Sequence, residues 1–130
     1  MRNRIAAIVG ILGITLTSNY VNAGEQLSGA ELKNFVSGKR VYLKIRLGGE
    51  FPLEYRSNGQ VTGDGTKTGL GKYFAPKETG KWFVDGEKLC QQFPTWYKGR
   101  VSCFTIEKTG QTTLNWTRDD GYSGTARISG

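Results

Sequence analysis

From Lys39 onward, apolar and polar residues alternate with a period of two. Val41, Leu43, Ile45 and Leu47 fall on one face, Tyr42, Lys44 and Arg46 on the other. Successive side chains of a strand point to opposite faces, so this pattern predicts a half-buried β-strand. Phe51, Leu53 and Tyr55 repeat it, with Pro52, Glu54 and Arg56 outside. With Gly48-Gly49-Glu50 as a three-residue loop, the predicted hairpin sets Leu47 opposite Phe51, Ile45 opposite Leu53 and Leu43 opposite Tyr55 within. The same register sets Lys44 opposite Glu54 and Tyr42 opposite Arg56 outside, so charge and hydrophobicity agree.

Turn signals then recur at short spacing: Ser57-Asn58-Gly59, Asp85-Gly86, Thr109-Gly110 and Asp119-Asp120-Gly121. They separate strands expected near 60–63, 72–74, 80–84, 87–93, 100–107, 111–117 and 122–128. Leu114 and Trp116 share a face, as do Tyr122, Gly124, Ala126 and Ile128, with Thr113, Asn115, Thr117, Thr125 and Arg127 opposite. An antiparallel meander with one apolar face buries that face by closing on itself or by folding into a sandwich. The fold class is therefore mainly β, a lipocalin- or avidin-like barrel or a sandwich. One short helix precedes it, near 29–36. Ser28 stands at its N-cap and Glu31 completes a capping box. Leu27 and Leu32 form a hydrophobic staple, and Gly38 suits the left-handed stop.

Arg2 and Arg4 followed by the uncharged apolar stretch Ile5 to Leu16, and then Val21-Asn22-Ala23, read as a signal peptide over 1–23, cut after Ala23. The run breaks at Thr15, Thr17, Ser18 and Asn19, short of the roughly 20 apolar residues that span a bilayer. The expectation is an exported chain, periplasmic or secreted, with one domain over 24–130. The formal net charge of +7 includes Arg2 and Arg4, which leaves +5 on the mature part. Lys39, Arg40, Lys44, Arg46 and Arg56 are expected on one outer face. Mixed charge without an arginine cluster argues against nucleic acid.

The chain has no histidine and two cysteines. Triads and imidazole ligands are thereby excluded, and two sulfurs fall short of the four ligands zinc prefers. In an oxidising compartment Cys90 and Cys103 are expected to pair, which also sets Leu89 opposite Phe104. Gly63-Asp64-Gly65-Thr66-Lys67-Thr68-Gly69-Leu70-Gly71 lacks phosphate-loop spacing and reads as an inter-strand loop. Acid–base chemistry would rest on Glu54, Asp85, Glu87, Asp119 and Asp120. Turn chemistry accounts for the aspartates, and a Lys44 partner accounts for Glu54. No catalytic residue, metal or cofactor is implied, and the chain is read as a monomeric, non-enzymatic protein.

The aromatic residues remain. Phe51, Tyr55, Trp82, Phe104, Trp116 and Tyr122 take predicted inward positions. In so short a chain they are expected mostly to fill the interior, with Thr112 as partner for a buried polar atom. A hollow interior would instead hold a small apolar or aromatic ligand beside Trp82 and Trp116. Trp96, Tyr97, Lys98 and Arg100 lie at the tip of the hairpin between the cysteines. They offer a contact surface for a glycan, an anionic envelope component or a protein, unless Trp96 folds back as a plug.

Gly80-Lys81-Trp82-Phe83-Val84-Asp85-Gly86-Glu87-Lys88-Leu89-Cys90, with Cys103-Phe104, Gly124-Thr125-Ala126 and the opening Leu27-Ser28-Gly29-Ala30-Glu31-Leu32, resembles a module of small exported alphaproteobacterial proteins of uncharacterised function. The resemblance implies a compact exported β domain and carries over no catalytic residue. The expected role is binding of a small apolar ligand or of an anionic or glycan envelope component. The alternative is a structural or protein-interaction role in the periplasm.

Overall fold

The alternation closes into a barrel. A computed structural model describes residues 24–46, 48–68 and 77–130. The expected signal peptide, Leu47 and the strand expected at 72–74 lie outside the described residues, as does the end of the glycine-rich stretch. In chain order the elements are β1 (Glu25–Gln26), α1 (Gly29–Val36), β2 (Lys39–Lys44), β3 (Glu50–Tyr55), β4 (Gln60–Gly63), β5 (Glu78–Asp85), β6 (Lys88–Gln92), β7 (Ser102–Lys108), β8 (Thr113–Arg118) and β9 (Ser123–Ser129). A short 3-10 turn covers Gly65–Thr68, and an irregular turn covers Trp96–Gly99.

Each strand from β2 to β9 pairs antiparallel with the next, and β9 pairs back onto β2 through Val41↔Ile128 and Leu43↔Ala126. The result is a closed eight-stranded up-and-down barrel of the lipocalin type, with β1 as an additional strand. β1 has no counterpart in the alternation because it is two residues long. It takes the edge of β7 at Glu107 and Lys108, past the point where β6 begins. Between β1 and α1, Leu27 N donates to the Ile106 carbonyl at 2.9 Å.

The helix has the expected bounds. Ser28 occupies the N-cap position, but its side chain makes no capping hydrogen bond, so the capping box does not form. The staple residues Leu27 and Leu32 are both buried. Gly29 N donates to the Gly86 carbonyl at 2.8 Å, and Gly38 N, at φ +75, donates to the Tyr55 carbonyl at 2.7 Å. These two bonds lay α1 across one end of the barrel, from the β5–β6 turn to the start of β2. Leu32 and Val36 are fully buried there, a burial worth about 1.5–3 kcal/mol for each side chain.

The first hairpin differs from its predicted register. Leu43 faces Phe51, Val41 faces Leu53, and Lys39 faces Tyr55, while Arg40 faces Glu54 and Tyr42 faces Pro52. The loop is longer than the glycines suggest, because Ile45 N donates to the Gly49 carbonyl and Gly48 N donates to the Ile45 carbonyl. The shift preserves parity, so Val41, Leu43, Phe51, Leu53 and Tyr55 keep their predicted inward face. The predicted Lys44–Glu54 and Tyr42–Arg56 pairs do not form, and Glu54 instead meets Arg56 at 3.7 Å. Lys39 leaves the outer basic face, its ammonium lying 5.9 Å from the centre of the Phe35 ring.

Cys90 and Cys103 are disulfide-bonded on directly opposed positions of β6 and β7, and Leu89 faces Phe104 as expected. The bond closes the loop that carries Trp96. Replacing both cysteines by alanine is expected to lower stability by about 3 kcal/mol, the chain-entropy value for a loop of this length. Urea unfolding of oxidised wild type beside the double variant measures it, and equal midpoints with equal slopes would contradict the expectation.

Candidate functional site

The interior is not filled. A cavity of about 390 Å³ runs along it, within the range of small-molecule pockets. Val36 of α1 closes its base. Val41, Leu43, Phe51, Leu53, Leu89, Phe93, Phe104, Ile106, Leu114 and Trp116 form apolar walls, and Ile45, Trp96, Tyr97 and Arg118 border it away from the helix. A second feature could not be read from periodicity. Both cavity tryptophans lie over strand glycines. A Cβ on Gly63 would stand 2.5 Å from Trp96 Cζ3, and one on Gly124 would stand 2.7 Å from Trp116 Cζ2. Glycine lets each indole approach the backbone closely, where any side chain would hold it off.

The expected interior set is placed as follows. Phe51, Phe104 and Trp116 line the cavity, and Tyr55 lines it while fully buried at 3% exposure. Trp82 is buried but does not line the cavity, since its ring meets Tyr55 edge-on at 5.7 Å and its Nε1 donates to the Arg56 carbonyl at 2.8 Å. Tyr122 contradicts its expected place, being 66% exposed. It belongs to the β8–β9 turn, where Arg118 N donates to its carbonyl at 2.7 Å, so strand parity no longer governs it.

Thr112 is exposed and supplies no partner for a buried tyrosine. Gln91 does, in a role absent from the sequence reading. The Tyr55 hydroxyl donates to Gln91 Oε1 at 2.7 Å, and both side chains border the cavity. Burial pushes the Tyr55 phenol far above its ordinary value, so it remains a donor. The one available signal was a polar residue at an inward position of β6. Trp96 Nε1 and Trp116 Nε1, by contrast, are buried without a hydrogen-bond partner among the described residues.

The hairpin tip divides. Trp96 turns inward, 5.6 Å from the Phe51 ring and 4.5 Å from the Phe93 ring, as a plug would. Tyr97, Lys98 and Arg100 stay exposed. The inward turn needs three successive left-handed residues, Tyr97 at φ 56, Lys98 at φ 57 and Gly99 at φ 70. Two of them are not glycine, a conformation that persists only where neighbours enforce it.

Glu78 is the enforcing neighbour. It is the first residue of β5, and its carboxylate accepts from Thr95 N at 2.5 Å, Thr95 Oγ1 at 2.6 Å and Trp96 N at 3.3 Å. Gln92 Nε2 holds the far side, donating to the Gly99 carbonyl at 2.8 Å. Desolvation raises the Glu78 pKa, but the bonds from Thr95 and Trp96 outweigh it and leave the carboxyl below its ordinary 4.5.

At the same end Arg118 Nε meets Asp120 at 2.8 Å, and Nη1 donates to the Tyr97 hydroxyl at 3.0 Å. Its guanidinium lies 5.0 Å from the Tyr97 ring and 4.9 Å from that of Tyr122. Of the other carboxylates considered, Asp119 pairs with Lys88 at 2.8 Å and Glu87 accepts from Gln26 at 3.1 Å. No carboxylate lines the cavity among the described residues.

Two outcomes test this geometry. Gly63→Ala should displace Trp96, change the near-UV circular dichroism and cost about 1–3 kcal/mol, the usual penalty of overpacking. An unaltered aromatic spectrum would refute the close approach. A carboxyl whose folded pKa is depressed adds stability above its unfolded pKa and loses it as pH falls through the folded value. Wild type should therefore exceed Glu78→Ala in stability at neutral pH, with the gap shrinking below about pH 4.5 and closing once the carboxyl is protonated. Urea unfolding across pH reads the gap, and a pH-independent difference would contradict the latch. No family model, curated protein or solved structure matches this chain.

Proposed function

We propose that this chain is an exported, non-enzymatic binding protein that carries a small apolar ligand inside its barrel. The observation that carries the reading is the cavity of about 390 Å³, bordered almost wholly by aliphatic and aromatic side chains. Leaving such a space empty forfeits the dispersion contacts its walls could make, and an apolar guest restores them. Export is supported by the basic and apolar opening of the sequence together with the Cys90–Cys103 bond, which oxidising compartments sustain. No helix among the described residues is long and apolar enough to cross a membrane. A surface role for the hairpin tip has less support, because Trp96, its best stacking residue, is turned into the barrel.

Titrating delipidated protein with fatty acids, retinoids and small aromatics should change its tryptophan fluorescence. Trp96→Phe and Trp116→Phe should each remove part of the change, whereas Trp82→Phe should not. A ligand at a hundredfold its Kd stabilises by about 2.7 kcal/mol, which raises the melting temperature by roughly 10 °C in a domain of this size. Neither a spectral change nor a thermal shift anywhere in the panel would overturn the reading.

A further inference from the structure

Resting on that cavity reading, we infer that the ligand is an amphiphilic anion, its apolar body in the barrel and its carboxylate, or an equivalent anionic group, held at the mouth by Arg118. Among the described residues that border the cavity, Arg118 is the single charged one. Its side chain is only 17% exposed, against 53% for its partner Asp120, so the cation is shielded where its counter-ion is solvated. A cation drawn partly out of water toward an apolar space needs compensation from the side that water has left.

The donor geometry leaves room for that compensation. Asp120 engages Nε, and Tyr97 accepts from Nη1. Nη2 has no partner among the described residues, and the Tyr97 oxygen, already accepting, keeps its own proton to donate. A guanidinium edge beside a phenol presents converging donors, an arrangement that suits the two oxygens of a carboxylate. Further inside, the donor is a neutral amide. Gln91 is 5% exposed with Oε1 occupied by Tyr55, and no described residue accepts from its Nε2. An amide among apolar walls suits a carbonyl or hydroxyl on the ligand body but not an unpaired charge, which stays at the mouth.

Asp120 then competes with the ligand for the same cation. Removing its charge is expected to strengthen anion binding, and removing Arg118 to abolish the preference for anions without abolishing apolar binding. Three acid and alcohol pairs of equal apolar body test this on delipidated full-length protein: dodecanoate with dodecanol, retinoate with retinol, and naphthoate with naphthalenemethanol. For a pair that binds, wild type should hold the acid at least roughly tenfold more tightly, the size expected of one charge-assisted hydrogen bond.

Arg118→Gln should bring acid and alcohol to equal affinity, through a loss confined mainly to the acid. Asp120→Asn should widen the preference, and it reports even where the Arg118 variant fails to fold. Equal wild-type affinity for acid and alcohol would overturn the anion inference while leaving the cavity reading intact. Binding of neither member of any pair would overturn both.

Discussion

The pairing of β2 with β9 is the constraint on which the rest of the molecule depends. It converts a meander with two open edges into a barrel with none, and it forces every inward side chain to face the others across one space. The outer face reinforces the seam. Arg127 of β9 lies 4.1 Å from the Tyr42 ring of β2, and reaches across that strand to Glu50 of β3 with two bonds of 2.6 and 2.8 Å. A solvent-exposed pair of this kind adds little free energy by itself. Its effect is on register, because the bidentate contact forms only when β9, β2 and β3 align as observed.

Closure determines a perimeter, and whether the perimeter encloses a core or a cavity depends on the residues inside. Here two strand glycines face inward where the alternation calls for a large side chain. Trp96 and Trp116 occupy the space that a Cβ on Gly63 and on Gly124 would need, close against the wall. Tryptophans that hug the wall thicken it and leave the middle open. The same large aromatic residues standing radially would fill it. This is why an inventory of inward aromatic residues favours a packed interior although the interior is hollow.

The strand faces, the four turns, the helix bounds and the disulfide were legible in the sequence because each depends on neighbours close along the chain. Period two places Leu114, Ala126 and Ile128 inward, and Cys90 opposite Cys103 fixes the register of β6 and β7. What was not legible depends on contacts between distant segments. The first hairpin shifted because Ile45 and Gly49 close a longer loop than the glycine pair implies, and parity alone does not distinguish registers that differ by an even number of residues, here four. Tyr122 left the interior because a turn takes its backbone out of the alternation. The site suffers most, since Glu78 and Trp96 are 18 residues apart and Tyr55 and Gln91 are 36 apart, with nothing local to announce either pair.

The mouth of the barrel holds several features that a merely stable fold would avoid. Two non-glycine residues adopt left-handed backbone, two indole donors are buried without partners among the described residues, and a cation is partly desolvated. Each of these costs free energy, of the order of 1–3 kcal/mol for a strained residue or an unmade hydrogen bond. The costs are not scattered. Trp96, Tyr97 and Arg118 fall at one end of the molecule, while the opposite end is closed by α1, with Leu32 and Val36 fully buried and Gly29 N and Gly38 N bonded to barrel carbonyls. A fold that stabilises one end and concentrates its unfavourable terms at the other sustains that asymmetry where the second end meets something the free chain lacks. On the proposed reading that something is the ligand, whose arrival supplies the contacts that the walls, the guanidinium and the Gln91 amide do not find within the protein.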